Sequence, residues 1–139
     1  MLRKYIVVVF LYLIIISNIK ADGFGNIILL DGRWANTLIN VSYTLEKNNG
    51  TVINGFSDFD GWIRFNETIS ETIFLTLDFN IHWDWSEEFD EDFIEDLYFE
   101  HGFNILDVNV DRFTRKVEIE LNGTEKYILV ISLPIRRLR

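Results

Sequence analysis

The sequence predicts an all-β fold, an antiparallel β-sandwich of seven or eight strands with one short acidic helix. Three observations carry that prediction. Apolar and polar residues alternate from Leu75 to Trp85, the period of a half-buried strand. Turn signals such as Asn-Gly and Asp-Gly break the apolar pattern at short spacings. One segment, Ser86 to Glu100, follows the helical period instead.

The elements follow in chain order. Phe24 to Leu30 reads as a strand apolar on both faces, closed by an Asp31-Gly32 turn. Val41, Tyr43 and Leu45 alternate with Ser42, Thr44 and Glu46 as a second strand. Asn48-Asn49-Gly50, Asn54-Gly55 and Asp58-Phe59-Asp60-Gly61 read as turns. The long strand from Leu75 to Trp85 sets Leu75, Leu77, Phe79, Ile81, Trp83 and Trp85 on one face, so core packing is expected for both tryptophans. In the segment that follows, Phe89, Phe93, Ile94, Leu97 and Tyr98 share one helix face. Ser86 is its candidate cap, and its early acids complement the helix dipole. Arg115 to Leu121 and Lys126 to Leu133 read as two strands of a hairpin, with Asn122-Gly123 as a type I′ turn. With no internal repeat or low-complexity linker, residues 22–139 form one predicted domain.

The chain begins with a segment of another kind. Met1 to Ala21 has the pattern of a secretory signal peptide. Arg3 and Lys4 make its basic start, and Tyr5 to Ile16 carries no charge. Twelve residues span about 18 Å as a helix, short of a hydrocarbon core of about 30 Å. Cleavage is expected between Ala21 and Asp22. The whole chain has a net charge of −9 from 13 basic and 22 acidic residues. Residues 1–21 hold three basic residues and no acidic one, so the mature chain has ten against twenty-two, or −12. Such a charge argues against a nucleic-acid partner, which needs a basic footprint. The absence of cysteine excludes a disulfide framework, thiolate metal sites and a cysteine nucleophile. About 118 residues still suffice to bury a core without such staples.

Secretion is consistent with Asn-x-Ser/Thr triplets at Asn40, Asn49, Asn66 and Asn122. Chance placement of the chain's asparagines against its serines and threonines gives about 1.2 such triplets. Asn49 and Asn122 lie in turn signals and are the better glycan acceptors. Asn40 lies in a strand pattern, where its neighbours hinder the transferase.

No residue is assigned to catalysis, to a cofactor or to a metal. Gly-x-Ser-x-Gly, His-Glu-x-x-His and a phosphate-binding loop are all absent from the sequence. The acids of 86–100 and the Asp58-Phe59-Asp60-Gly61 turn lack the full Ca²⁺-loop pattern, and a solvated face is the simpler reading. His82 and His101 are the two histidines, and a zinc site would require them to meet with carboxylates. Trp62, Trp83 and Trp85 are candidates for a carbohydrate or lipid platform, but Trp83 and Trp85 share the face of Leu77, Phe79 and Ile81, so core packing is the simpler account. The basic tail Ile135-Arg136-Arg137-Leu138-Arg139 reads as a solvated terminus.

Three stretches resemble the nematode transthyretin-like family of small secreted proteins. Gly25 to Ala35 is similar to the family's opening strand and the turn after it. Val41 to Glu46 is similar to the next strand. Gly55 to Phe65, Gly-Phe-Ser-Asp-Phe-Asp-Gly-Trp-Ile-Arg-Phe, resembles the family's Gly-x-Thr-Asp-x-x-Gly-x-Phe signature. Leu77 to Asp84 looks like the strand that follows at a similar gap. The likeness covers residues 24–85. The chain departs from the family in lacking its cysteine pair, near whose positions stand Leu29 or Leu30 and Trp85. Trp34 stands where a proline is usual. The resemblance implies a transthyretin-like sandwich with a short helix after the long fifth strand. It does not carry over hydroxyisourate hydrolase activity, because the terminal Tyr-Arg-Gly-Ser of those enzymes is replaced by Ile135 to Arg139.

The expected function is that of a secreted, non-enzymatic extracellular binding module without cofactors. It acts as a carrier or bridging ligand, its partner a small apolar molecule, a lipid, or an extracellular protein with a basic patch. No stable membrane insertion is expected. A secreted effector or matrix protein with no small ligand is the alternative, and an enzyme ranks third.

Overall fold

A computed structural model describes residues 26–65, 71–86 and 91–134. The elements, in order, are β1 (Ile27–Asp31), β2 (Leu38–Ile39), β3 (Ser42–Lys47), β4 (Val52–Phe56), β5 (Trp62–Ile63), β6 (Thr72–Asp78), β7 (Asp84–Trp85), α1 (Glu91–Phe99), β8 (Asn104–Asn109), β9 (Lys116–Asn122) and β10 (Tyr127–Ser132). One sheet has the order β5-β1-β10-β8, the other β4-β3-β6-β9, and β2 pairs with β7 in a small ribbon. The fold is all-β with one short helix, as the sequence predicts, and seven of its described strands have five residues or more.

Sequence pattern explains each layer. In the second sheet, β3 and β6 alternate buried with half-buried residues, and Leu45 lies opposite Leu75, Tyr43 opposite Leu77. Their buried face meets Ile27, Leu29, Leu129 and Ile131 of the first sheet in the main core. The other face of the first sheet is not solvated. Ile28, Leu30, Ile128 and Trp62 form a second core there with Leu97 of α1 and Phe103 after it. That is why β1 is buried at every position and its residues from Ile27 to Leu30 are a continuous apolar run. Phe93 and Phe103 set ring edges against Trp62 at 6.3 and 5.8 Å. The helix therefore completes a three-layer stack: sheet, sheet, helix.

Four expectations need correction. The first sheet is mixed, because β1–β10 and β10–β8 are parallel; the second is antiparallel throughout. Asn122-Gly123 makes no hairpin: β9 belongs to one sheet and β10 to the other. A type I′ turn needs positive φ at its central residues, and neither residue has it. Instead the Asn122 carboxamide oxygen accepts the Thr124 N–H and hydroxyl, and the Tyr127 hydroxyl accepts the Asn122 N–H. These bonds bend the chain from sheet to sheet.

Asn54-Gly55 is likewise no turn; it lies inside β4, opposite Thr44 and Tyr43. A Cβ at position 55 would lie 2.7 Å from the Tyr43 hydroxyl oxygen, so glycine provides room for that ring. The long strand stops at Asp78 rather than running to Trp85. The Asp78 carboxylate accepts the Asn80 backbone N–H at 2.9 Å, a local turn that competes with the ladder. Beyond it the alternation fails: Phe79 is buried, but Ile81 and Trp85 are exposed. The helix α1 covers Glu91–Phe99 of the expected 86–100, and 87–90 lie outside the described residues. The signal segment 1–21, Asn66 and the basic tail 135–139 also lie outside them. Among the described residues no helix is long and apolar enough to cross a membrane.

Candidate functional site

The break after Asp78 builds a cleft. Its wall is the irregular stretch from Phe79 to Trp85, and its volume is about 380 Å³. Arg33, Arg115, Leu133 and Pro134 complete the lining. Arg33 and Arg115 come from different parts of the chain, and specific bonds hold the turns that carry them.

Trp85 lies on β7, opposite Leu38 of β2. Its indole Nε1–H donates to Oδ2 of Asp31 at 2.7 Å. Asp31 ends β1 and is fully buried; its Oδ1 accepts the Arg33 backbone N–H at 2.8 Å. One carboxylate thus fixes both an aromatic wall and the turn that carries Arg33. Trp83 stands edge-on to Trp85 at 4.8 Å and to Phe79 at 5.7 Å. Such edge contacts give the three rings a fixed geometry.

Arg115 enters from the β8–β9 turn. Its N–H donates to the Asp111 carbonyl at 2.9 Å, and its own carbonyl accepts the Phe79 N–H at 2.9 Å. Asn80 Nδ2 donates to the Thr114 carbonyl at 2.7 Å, so the turn is tied twice to the cleft wall. The Asp111 carboxylate closes this turn by accepting the Thr114 and Phe113 N–H groups. Those two bonds hold its pKa below the ordinary aspartate value, the Thr114 bond contributing most. Arg115 itself has φ of 55°, in the left-handed region that a branched-chain neighbour or a long side chain seldom occupies. Its Nε is buried and, among the described residues, has no hydrogen-bond partner.

The residues singled out by sequence scatter. Trp83 and Trp85 belong to the cleft, whereas Trp62 is buried beneath α1. His82 is exposed on the cleft rim. His101 lies beyond α1, its Nε2 3.7 Å from an Asp96 carboxylate oxygen. Asp96, Glu100 and His101 bring ligand atoms within 4.8 Å of one another, without His82 and without burial. The Glu100 carboxyl is held above its ordinary pKa, first by a hydrogen bond with Asp96 and then by that group's charge. In the Asp58 turn, one carboxylate oxygen accepts the Asp60 and Trp62 N–H groups and the other accepts Arg64 Nε at 2.7 Å.

The sequons also differ. Asn49 and Asn122 are exposed, and each carboxamide oxygen accepts the N–H of the threonine two residues on. Asn40 is exposed too, but its Nδ2 donates to the His82 carbonyl at 3.2 Å. Its φ of 57° places it in a bend between β2 and β3, not in a strand. Sequence reasoning missed Arg33 and Arg115 as site residues. No local motif marks them, since only the fold brings their two turns to one cleft.

No family model matches the chain, and neither a curated protein nor a solved structure does.

Proposed function

We propose that the protein is a secreted, non-enzymatic extracellular binding module that holds a small apolar molecule in this cleft. The observation that carries the reading is the wall of Phe79, Trp83 and Trp85, fixed from behind by the buried Asp31 carboxylate. A preformed concavity whose apolar, aromatic walls stand beside placed polar groups is the usual form of a small-ligand site, and here Arg33, Asn80, His82, Asp84 and Arg115 join six apolar lining residues. Its volume of about 380 Å³ suits a ligand of fatty-acid or aromatic-acid scale rather than a polymer.

The leader-like Met1 to Ala21 and the exposed Asn49 and Asn122 sequons support secretion and glycosylation. Transthyretin-like descent is part of the same proposal. Setting aside the β2–β7 ribbon, β6 is the fifth strand, and the helix follows it, the order that the resemblance implies.

Native mass spectrometry of the protein from a eukaryotic secretory host tests the reading. A co-purifying small molecule, lost on Trp85→Ala, is the expected result. Mass peaks of bare protein under conditions that retain added alkyl or aromatic ligands on a control carrier would contradict it.

A further inference from the structure

The cleft contains a charge arrangement that an apolar carrier does not need. We infer that its ligand is a small organic monoanion with an apolar body, a carboxylate whose charge is received by the guanidinium of Arg115. The inference rests on the binding reading above and specifies the ligand class.

Arg115 is the principal observation. Among the described residues its Nε is buried without a hydrogen-bond partner and its side chain makes no ion pair. A buried donor on a cation is costly to leave unmade. The chain does not lack anions to satisfy it, since acids outnumber bases 22 to 13. Instead the nearby carboxylates are directed elsewhere. Asp31 takes Trp85 and the Arg33 N–H, Asp78 takes Asn80, and Asp111 takes its own turn. Asp84, the one carboxylate among the described lining residues, accepts the Trp85 backbone N–H at 2.8 Å. Among the described residues the lining therefore has two arginines against one aspartate, in a chain whose net charge is −9. The backbone of Arg115 adopts a left-handed conformation, with φ of 55°.

A guanidinium receives a carboxylate through two parallel N–H donors, and because Nε is buried, those that meet the ligand are on the terminal Nη groups. With Arg115 taking the head, the alkyl or aromatic body lies along Phe79, Ile81 and Trp83 toward Leu133. Arg33, whose Nε is 4.0 Å from Asp31, adds positive potential at the rim.

The test is calorimetric titration of the full secreted protein with octanoate, octanol and octylammonium, three probes of one length and different charge. Octanoate is expected to bind at least about tenfold more tightly than octanol, as charge-assisted bonds exceed neutral ones. Octylammonium should bind more weakly than octanol. Arg115→Gln should bring octanoate down to the octanol affinity, leave octanol within about twofold, and leave thermal stability undiminished. Arg115→Lys should restore part of the preference. Equal binding of octanoate and octanol would overturn the inference while leaving the binding reading intact. Failure of all three probes would overturn both. Should neither variant fold, the order of the three probes on the unmodified protein still decides.

Discussion

The indole Nε1–H of Trp85 donates to the Asp31 carboxylate at 2.7 Å, across 54 residues of sequence. This single bond joins the end of β1 to the small β2–β7 ribbon and fixes the wall of the cleft. Trp85 is 43% exposed and Asp31 is 0% exposed, so the pair couples surface to core. Trp85→Phe should keep much of the ring's packing and remove the donor. Leaving a buried acceptor unpaired costs about 1–3 kcal/mol. Urea denaturation is expected to show that loss with an unchanged m-value. An unchanged midpoint would mean that the bond adds nothing to the fold.

The face assignment of β6 is tested by exchange of neighbours. Leu77 is 0% exposed in the main core, whereas Asp78 is half-buried and bonded to Asn80. Leu77→Asp should cost at least about 3 kcal/mol, because it places an unpaired charge in apolar surroundings. Asp78→Leu should cost far less. Similar melting temperatures for the two variants would contradict the assignment.

Glycan mapping separates the sequons. Asn49 and Asn122 present an exposed carboxamide whose oxygen is held by the threonine N–H. At Asn40 the nitrogen that would receive the glycan donates to the His82 carbonyl. Occupancy is expected at Asn49 or Asn122 and to be lower at Asn40 in peptides from a secretory host. Full occupancy at Asn40 alone would contradict this ordering.

The Asp111 turn should loosen in acid. Its pKa is lowered in the folded chain, so the turn bonds favour folding above the unfolded value. That contribution is lost as pH falls through the lower, folded value. NMR titration of the Asp111 carboxyl should give a midpoint under the ordinary 3.8, with the Phe113 and Thr114 amide signals moving in step. A midpoint at or above the ordinary value would contradict the turn's geometry.

The sequence disclosed the fold class and concealed the site for one physical reason. Alternation in β3 and β6, and the unbroken apolar run of β1, report burial directly, because each side chain's face follows from the strand period. Glycine and asparagine signals are less specific. Gly50 has the positive φ of a hairpin turn, but Gly55 makes room for Tyr43 within a strand and Gly123 marks a corner between sheets. Trp83 and Trp85 continue the period of β6 in sequence, so they read as core. Only the Asp78–Asn80 turn removes them from the strand, and its bond to Thr114 depends on a partner distant in the chain. Arg115 is set in place by the same long-range contact.

The central claim, that the Phe79–Trp83–Trp85 cleft is the binding site, is tested most directly through the tryptophans themselves. The chain has four, of which Trp83 and Trp85 line the cleft, while Trp62 is buried under α1 and Trp34 is exposed on a turn. Titration of ¹⁵N-labelled protein with octanol, followed at the indole Nε1–H signals, should move Trp83 and Trp85 saturably and leave Trp34 and Trp62 in place. If Trp83 and Trp85 stay fixed up to the solubility limit of octanol, or if Trp62 or Trp34 moves in their stead, the cleft is not the binding site.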